Sequence, residues 1–364
     1  MLQNLTQILI YSMIACVVTA ASFPYYIRLL RYFKAGKTIR EDSWTGDKAI
    51  IFNALHQHKW WTPTMWGWLM LIVMIIMIIL SLLLQKRWTI THSLLERKET
   101  YVLLVAFFGM WIWWLLDDYL NIKSWWRVKW LPAIVKLLWM FLFAGFVSYW
   151  FHVKLGINEV NLWPFAWLTN LWWVDFTRFG SEYQLWLWYM ILTFVMTLTI
   201  TNAINITDGL DWLAGGIMLM ILSVCAGITF YYGRYIATTV IGIVLWCLLA
   251  FLWFNINPAK IFMGDSWSLA LGWLFSTLVY LIGIKIGFII PFFILFGLCL
   301  VELSTSGLQI FWKKVFKRKL FAIAPLHHLL EYQGMNESSI VMRLWLIQGI
   351  LCMIAFILVM YQLV

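Results

Sequence analysis

Residues 185–211 read LWLWYMILTFVMTLTITNAINITDGLD. The stretch 185–203 carries no charged side chain, and about 20 apolar residues at 1.5 Å each cross about 30 Å of hydrocarbon as a helix. The run then ends in four polar side chains within ten residues, Asn202, Asn205, Asp208 and Asp211. Both pairs are three apart, so on a continued helix each pair shares one face. The stretch reads as a membrane span whose end opens onto a hydrogen-bonding wall, suited to a sugar, a nucleoside or a hydrated cation. A polar helix cap is the plainer alternative.

Outward from this segment, apolar runs between charge clusters give ten candidate spans, 5–27, 66–84, 101–116, 131–151, 185–203, 213–232, 236–254, 267–284, 286–311 and 343–363. The composition agrees. The 364 residues are 63% hydrophobic and 12% charged, against roughly a quarter charged in a soluble domain. That excludes a soluble globule, and with it disorder, collagen and coiled coil. The expected fold is an all-α polytopic membrane protein of about ten transmembrane helices, one integral-membrane domain over 1–364.

Charge sets the orientation. Residues 1–9 hold no Lys or Arg, whereas Arg28, Arg31, Lys34, Lys37 and Arg40 follow the first span, so the N-terminus is expected outside. With ten spans the C-terminus falls outside too. Of the 26 Lys and Arg, 18 belong to the face carrying the loops after odd-numbered spans, Lys136 and Arg343 at span ends included. That face is expected to be cytoplasmic, in a multi-pass protein of the inner membrane. The net charge of +10 therefore lies in membrane-flanking loops, with no motif for nucleic acid beside it. The five cysteines sit inside apolar runs without metal-ligand spacing and read as packing residues.

The chemistry gathers on the same face. Asp117 and Asp118 end the third span, and adjacent carboxylates there are costly to desolvate unless paired or functional. Asn255, Phe262 and Asp265 follow the seventh span, with Gly264 allowing a turn before the next helix. After the ninth, a basic run precedes Ala324-Pro325-Leu326-His327-His328-Leu329-Leu330-Glu331. Neighbouring histidines on a helix point about 100° apart, a poor zinc pair, but phosphate donors need no shared direction. Carboxylates for Mg²⁺ with Lys and His for phosphate describe phosphoryl transfer, where charge neutralisation and positioning supply most of the catalysis.

Five motifs then carry a resemblance. Thr62-Pro63-Thr64-Met65, Asp117-Asp118-Tyr119, Asn202-x-x-Asn205-x-x-Asp208-Gly209-Leu210-Asp211, Phe262-Met263-Gly264-Asp265-x-x-Ser268 and Ala324-Pro325-Leu326-His327-His328-x-x-Glu331 occur in this order. The chain resembles the polyprenyl-phosphate N-acetylhexosamine-1-phosphate transferases over almost its whole length. The first and last motifs look most like the branch that uses UDP-MurNAc-pentapeptide and undecaprenyl phosphate.

The resemblance implies that phospho-MurNAc-pentapeptide moves to the lipid, giving lipid I and UMP, with Mg²⁺. By motif, Asp265 would bind the metal with support from Asp118, and Asp117 would act as base or orient the acceptor. Asn202, Asn205, Asp208, Asp211, Asn255 and Phe262 would hold nucleoside and diphosphate. His327 and His328 would contact phosphate or sugar, and Lys59 and Lys136 would bind phosphates. The family also suggests a homodimer in the lipid bilayer. Competing readings are a GlcNAc-1-phosphate transferase for a surface polysaccharide, a transporter and a non-catalytic scaffold. A transporter predicts mid-span carboxylates, whereas these lie at loop mouths.

The departures are Asn121, Leu329 and a set of tryptophans. Trp61, Trp66, Trp114, Trp130, Trp212, Trp267 and Trp273 stand where the family has glycine, and the chain has 27 Trp against 21 Gly. An indole in a site built for glycine crowds it. The expectation is a gene in which UGA encodes glycine, translated as tryptophan; in the chain as it stands, the indoles of Trp66, Trp114, Trp212 and Trp267 should bulge into the cytoplasmic cleft or its walls.

Overall fold

The computed structural model describes residues 2–33, 36, 62–64, 66–86, 93–96, 100–105, 107–109, 133–154, 159–161, 173–175, 182–284 and 289–361. Eleven helices are followed here. They are α1 (Leu2–Tyr32), α2 (Gly67–Lys86), α3 (Ala133–Tyr149), α4 (Glu182–Thr207), α5 (Leu213–Tyr231), α6 (Tyr235–Asn255), α7 (Asp265–Leu278), α8 (Ile289–Leu295), α9 (Gly297–Phe316), α10 (Leu326–Tyr332) and α11 (Glu337–Tyr361). A wider π turn extends α3 through Trp150–Lys154 and α7 through Val279–Ile284.

Among the described residues five helices, α1, α2, α5, α6 and α11, are long and apolar enough to cross a membrane, and shorter apolar stretches lie at Leu138–Val147, Ile191–Thr207 and Trp267–Ile282. Helix α6 stands at the centre, packed on α1 and α5, with 78% of its apolar window buried against 28% for α11 at the rim. The exposed faces stay apolar, as Leu346, Ile350 and Ile357 of α11 illustrate, so they suit lipid and not water.

The structure departs from the sequence reading twice. Glu159–Asn161 and Trp173–Asp175 pair as a short antiparallel sheet, Glu159 opposite Asp175, an addition to the expected all-α fold. The ninth expected span, 286–311, is two helices broken at Phe296, where Gly297 follows. A backbone break in hydrocarbon needs partners for its freed groups. Gln348 of α11 supplies one, donating to the Leu295 carbonyl at 2.8 Å.

Several buried threonines within the helices are satisfied locally. Thr19, Thr201, Thr207 and Thr229 bond to carbonyls four residues back. The Tyr280 hydroxyl donates to the Thr193 carbonyl at 2.7 Å and lies 2.9 Å from the Thr197 hydroxyl, which locks the end of α7 to α4.

The same two helices meet closest at Gly272, where an added Cβ would lie 2.6 Å from the Thr201 Cα. Only hydrogen fits there, and this close approach sets the spacing of the helix pair that carries Asn205 and Asp265.

Trp66, Trp267 and Trp273 are fully buried in the hydrophobic core. Trp66 stacks on Phe251 at 4.4 Å and meets Trp267 edge-on at 4.5 Å, while Trp273 meets Phe143 at 5.6 Å. Trp212, half-buried against Trp345, has φ +57. A left-handed backbone costs a non-glycine residue roughly 1–2 kcal/mol. Trp61, Trp114 and Trp130 lie outside the described residues.

Candidate active site

The site is built at the ends of α4 and α6 and the starts of α5, α7 and α11, with α10 held against them by α9. Helix α4 delivers Asn202 and Asn205 on its last turns and passes into the 208–211 turn. The two amides part company. Asn202 bonds back to the Leu198 carbonyl at 2.7 Å, whereas Asn205 crosses to α7, donating to Ser268 Oγ at 2.9 Å and to Asp265 Oδ1 at 3.3 Å. Asp265 opens α7, where the positive end of the helix dipole favours its carboxylate.

Asp211 is 3% exposed, and its carboxylate accepts from Asn257 Nδ2 at 3.0 Å and the Ala259 N–H at 3.1 Å. Its own N–H donates to Glu337 at 2.7 Å, and Glu337 also accepts from Asn257 at 3.0 Å. Asn255 takes the Trp212 N–H at 2.8 Å and gives its amide to the Ile261 carbonyl at 2.8 Å. Asp211 and Asn255 thus tie the α4–α5 turn to the α6–α7 loop.

Beside them the Phe262 N–H donates to the Pro63 carbonyl at 2.8 Å, which brings the Thr62-Pro63-Thr64 segment against the same loop. Phe262 and Asp208 are half-buried.

The two histidines stand on α10, held in place from α9. Gln309 clamps the intervening loop, accepting from the Leu320 and Phe321 N–H groups and donating to the Phe321 carbonyl. His327 is wholly buried, its Nδ1 3.1 Å from Glu302 of α9, and its ring lies against Gly209. His328 is partly exposed and pairs with Glu331 at 2.7 Å.

The structure therefore brings together Asn205, Asp208, Asp211, Asn255, Phe262, Asp265, His327 and His328. Lys136 lies on α3. Lys59, Asp117 and Asp118 lie outside the described residues. Sequence reasoning missed Glu302, Glu337 and Asn257. The first had a signal, since a lone carboxylate inside an apolar helix is rarely idle.

Among the described residues no three of His, Cys, Asp and Glu group as a metal cage. One carboxylate at a polar helix start matches the needs of Mg²⁺, which takes one or two carboxylates and completes its shell with phosphate oxygens and water.

Comparison with known proteins shows the family of the chain. The glycosyl transferase family 4 pattern matches residues 100–283. The chain is 31% identical over 97% of its length to the phospho-N-acetylmuramoyl-pentapeptide-transferase of a Thermoanaerobacter species, of which it covers 98%. It is 30% identical over 96% of its length to that of Caldanaerobacter subterraneus subsp. tengcongensis, covering 98%. To that of Clostridium novyi it is 30% identical over 96%, covering 96%.

Proposed function

The chain belongs to glycosyl transferase family 4 and to the phospho-N-acetylmuramoyl-pentapeptide transferases within it, and from that membership we propose that it makes lipid I. An oxygen of the undecaprenyl phosphate attacks the phosphorus bearing MurNAc-pentapeptide, a new P–O bond forms, and the bond to UMP breaks. The observation that carries the reading is the junction of Asn205, Ser268 and Asp265, which sets a carboxylate at a helix start beside two hydrogen-bonding side chains.

Asp265, with Asp118, would hold Mg²⁺, which when bound neutralises the diphosphate. Asp117 would accept or orient the proton and oxygen of the acceptor phosphate. The 208–211 turn, with Asn255 and Phe262 beside it, would frame the donor; by motif, Lys59, Lys136, His327 and His328 would bind the phosphates and sugar.

An apolar cavity of about 200 Å³ opens between α4, α7 and the α8–α9 break, lined by Val195, Ile200, Phe275, Phe292 and Phe296. Its lining suits a hydrocarbon chain and supports a lipid acceptor. The chain works as one multi-pass domain of the inner membrane, its ten spans placing both termini outside and the motif loops in the cytoplasm, with a homodimer as its assembly.

The test incubates the purified protein with Mg²⁺, undecaprenyl phosphate and labelled UDP-MurNAc-pentapeptide or UDP-GlcNAc. Label entering the lipid phase from the first alone supports the reading. Entry from UDP-GlcNAc alone moves the chain to a surface-polysaccharide transferase.

A further inference from the structure

Glu302 lies on the apolar helix α9 and is 1% exposed. A carboxylate this deep needs a partner, and its Oε2 lies 3.1 Å from His327 Nδ1 and 3.4 Å from the His327 backbone N–H. This double hold fixes the ring and keeps a proton on Nδ1, facing the carboxylate. Nε2 is left directed at the Asp208–Gly209 turn, so near that a Cβ on Gly209 would collide with it. Neither Nε2 nor Glu302 Oε1 has a hydrogen-bond partner among the described residues. A buried polar atom without a partner calls for an explanation, and Nε2 faces the turn proposed to frame the donor.

We propose that Glu302 is a positioning residue for the donor. It acts through His327, holding Nε2 at the Asp208–Gly209 turn to meet a polar group of the UDP-linked sugar. His328 does not duplicate this role, because its Nδ1 is turned to Glu331. The assignment rests on the transferase reading.

The test measures donor KM and kcat for full-length Glu302→Ala, Glu302→Gln, His327→Ala and the Glu302→Ala/His327→Ala pair, with ¹⁵N–¹H spectra of histidine-labelled protein. Glu302→Ala and His327→Ala should each raise KM about tenfold, the loss of one buried hydrogen bond, with kcat little changed. The double variant should lose no more than either single one. Glu302→Gln, whose amide oxygen still accepts from Nδ1, should stay near wild type, and the His327 Nδ1–H signal should vanish in Glu302→Ala and persist in Glu302→Gln. Additive losses, an unchanged KM in Glu302→Ala, or an Nδ1–H signal that survives there overturns the assignment. A wild-type protein that forms no lipid-linked product overturns the transferase reading instead, while the spectra and a calorimetric titration with UDP-MurNAc-pentapeptide still decide Glu302.

An independent observation concerns the tryptophans. Trp212 holds φ +57, the left-handed conformation that glycine adopts freely and a bulky residue rarely does. The indole N–H groups of Trp66, Trp150, Trp212 and Trp273 are buried with no acceptor among the described residues, although a buried indole ordinarily finds one; of these, Trp66, Trp212 and Trp273 stand where the resembled family has glycine. We propose that these positions are glycine in the natural chain, encoded by UGA. Peptide masses of the protein from its native host should show glycine at 66, 212 and 273, with UGA codons in the gene. Tryptophan masses or UGG codons there overturn the proposal.

Discussion

Asn205 on α4 donates its side-chain amide to Asp265 at the start of α7 across 3.3 Å, joining residues sixty positions apart in the chain. The bond fixes one oxygen of the carboxylate proposed to hold the metal. Asp265→Asn should lower turnover at least about 10²-fold, as for loss of a preorganised charge in a transition-state site. Asn205→Ala should lower it about tenfold through lost orientation. Both are read as lipid-linked product per folded protein across an Mg²⁺ titration, and full turnover in EDTA would refute the metal role.

Asp117, proposed to act on the acceptor, should affect a different parameter. Asp117→Asn is expected to depress kcat by at least about 10²-fold with donor KM within a few-fold, the pattern of an interaction made in the transition state. An equal loss of donor affinity would transfer it to the metal shell.

Asp211 and Glu337 brace loops, and their substitution should register first in stability. Asp211→Ala and Glu337→Ala each leave a buried donor around Asn257, Ala259 or the 211 backbone unpaired, worth about 1–3 kcal/mol. Thermal unfolding in detergent should show a lower Tm for both. If Asp211 instead met the donor directly, its variant would raise KM at unchanged Tm.

Gly272→Ala should push α4 and α7 apart at Thr201. Overpacking of this kind costs about 1–3 kcal/mol, and here it also lengthens the Asn205–Asp265 bond, so Tm and turnover should fall together. Gly307→Ala on α9, where nothing lies within 4 Å of an added Cβ, is the control and should be neutral or mildly stabilising.

The proposed topology is open to thiol labelling. Cysteines introduced at positions 124 and 316 should be shielded from an impermeant reagent in intact cells, and one at 178 should react. The reverse pattern would remove the motif loops from the compartment of a nucleotide-linked donor.

The sequence by itself determined that the chain is a helical membrane protein, because apolar runs such as 185–203 leave a spanning helix as the structure that satisfies its own backbone in lipid. It also marked Asn205, Asp208, Asp265 and the histidines, since polar groups at span mouths are costly unless used. The tertiary structure alone decided how these candidates divide. Asn202 and Asn205 share a spacing, yet one amide folds back on its own helix and the other reaches Asp265, a choice made by where α7 packs. His327 and His328 are adjacent, yet one is sealed by Glu302 and the other pairs within its own turn. Spacing along a helix states which direction a side chain takes. Which neighbour waits in that direction depends on contacts between segments distant in sequence, and those arise only from packing.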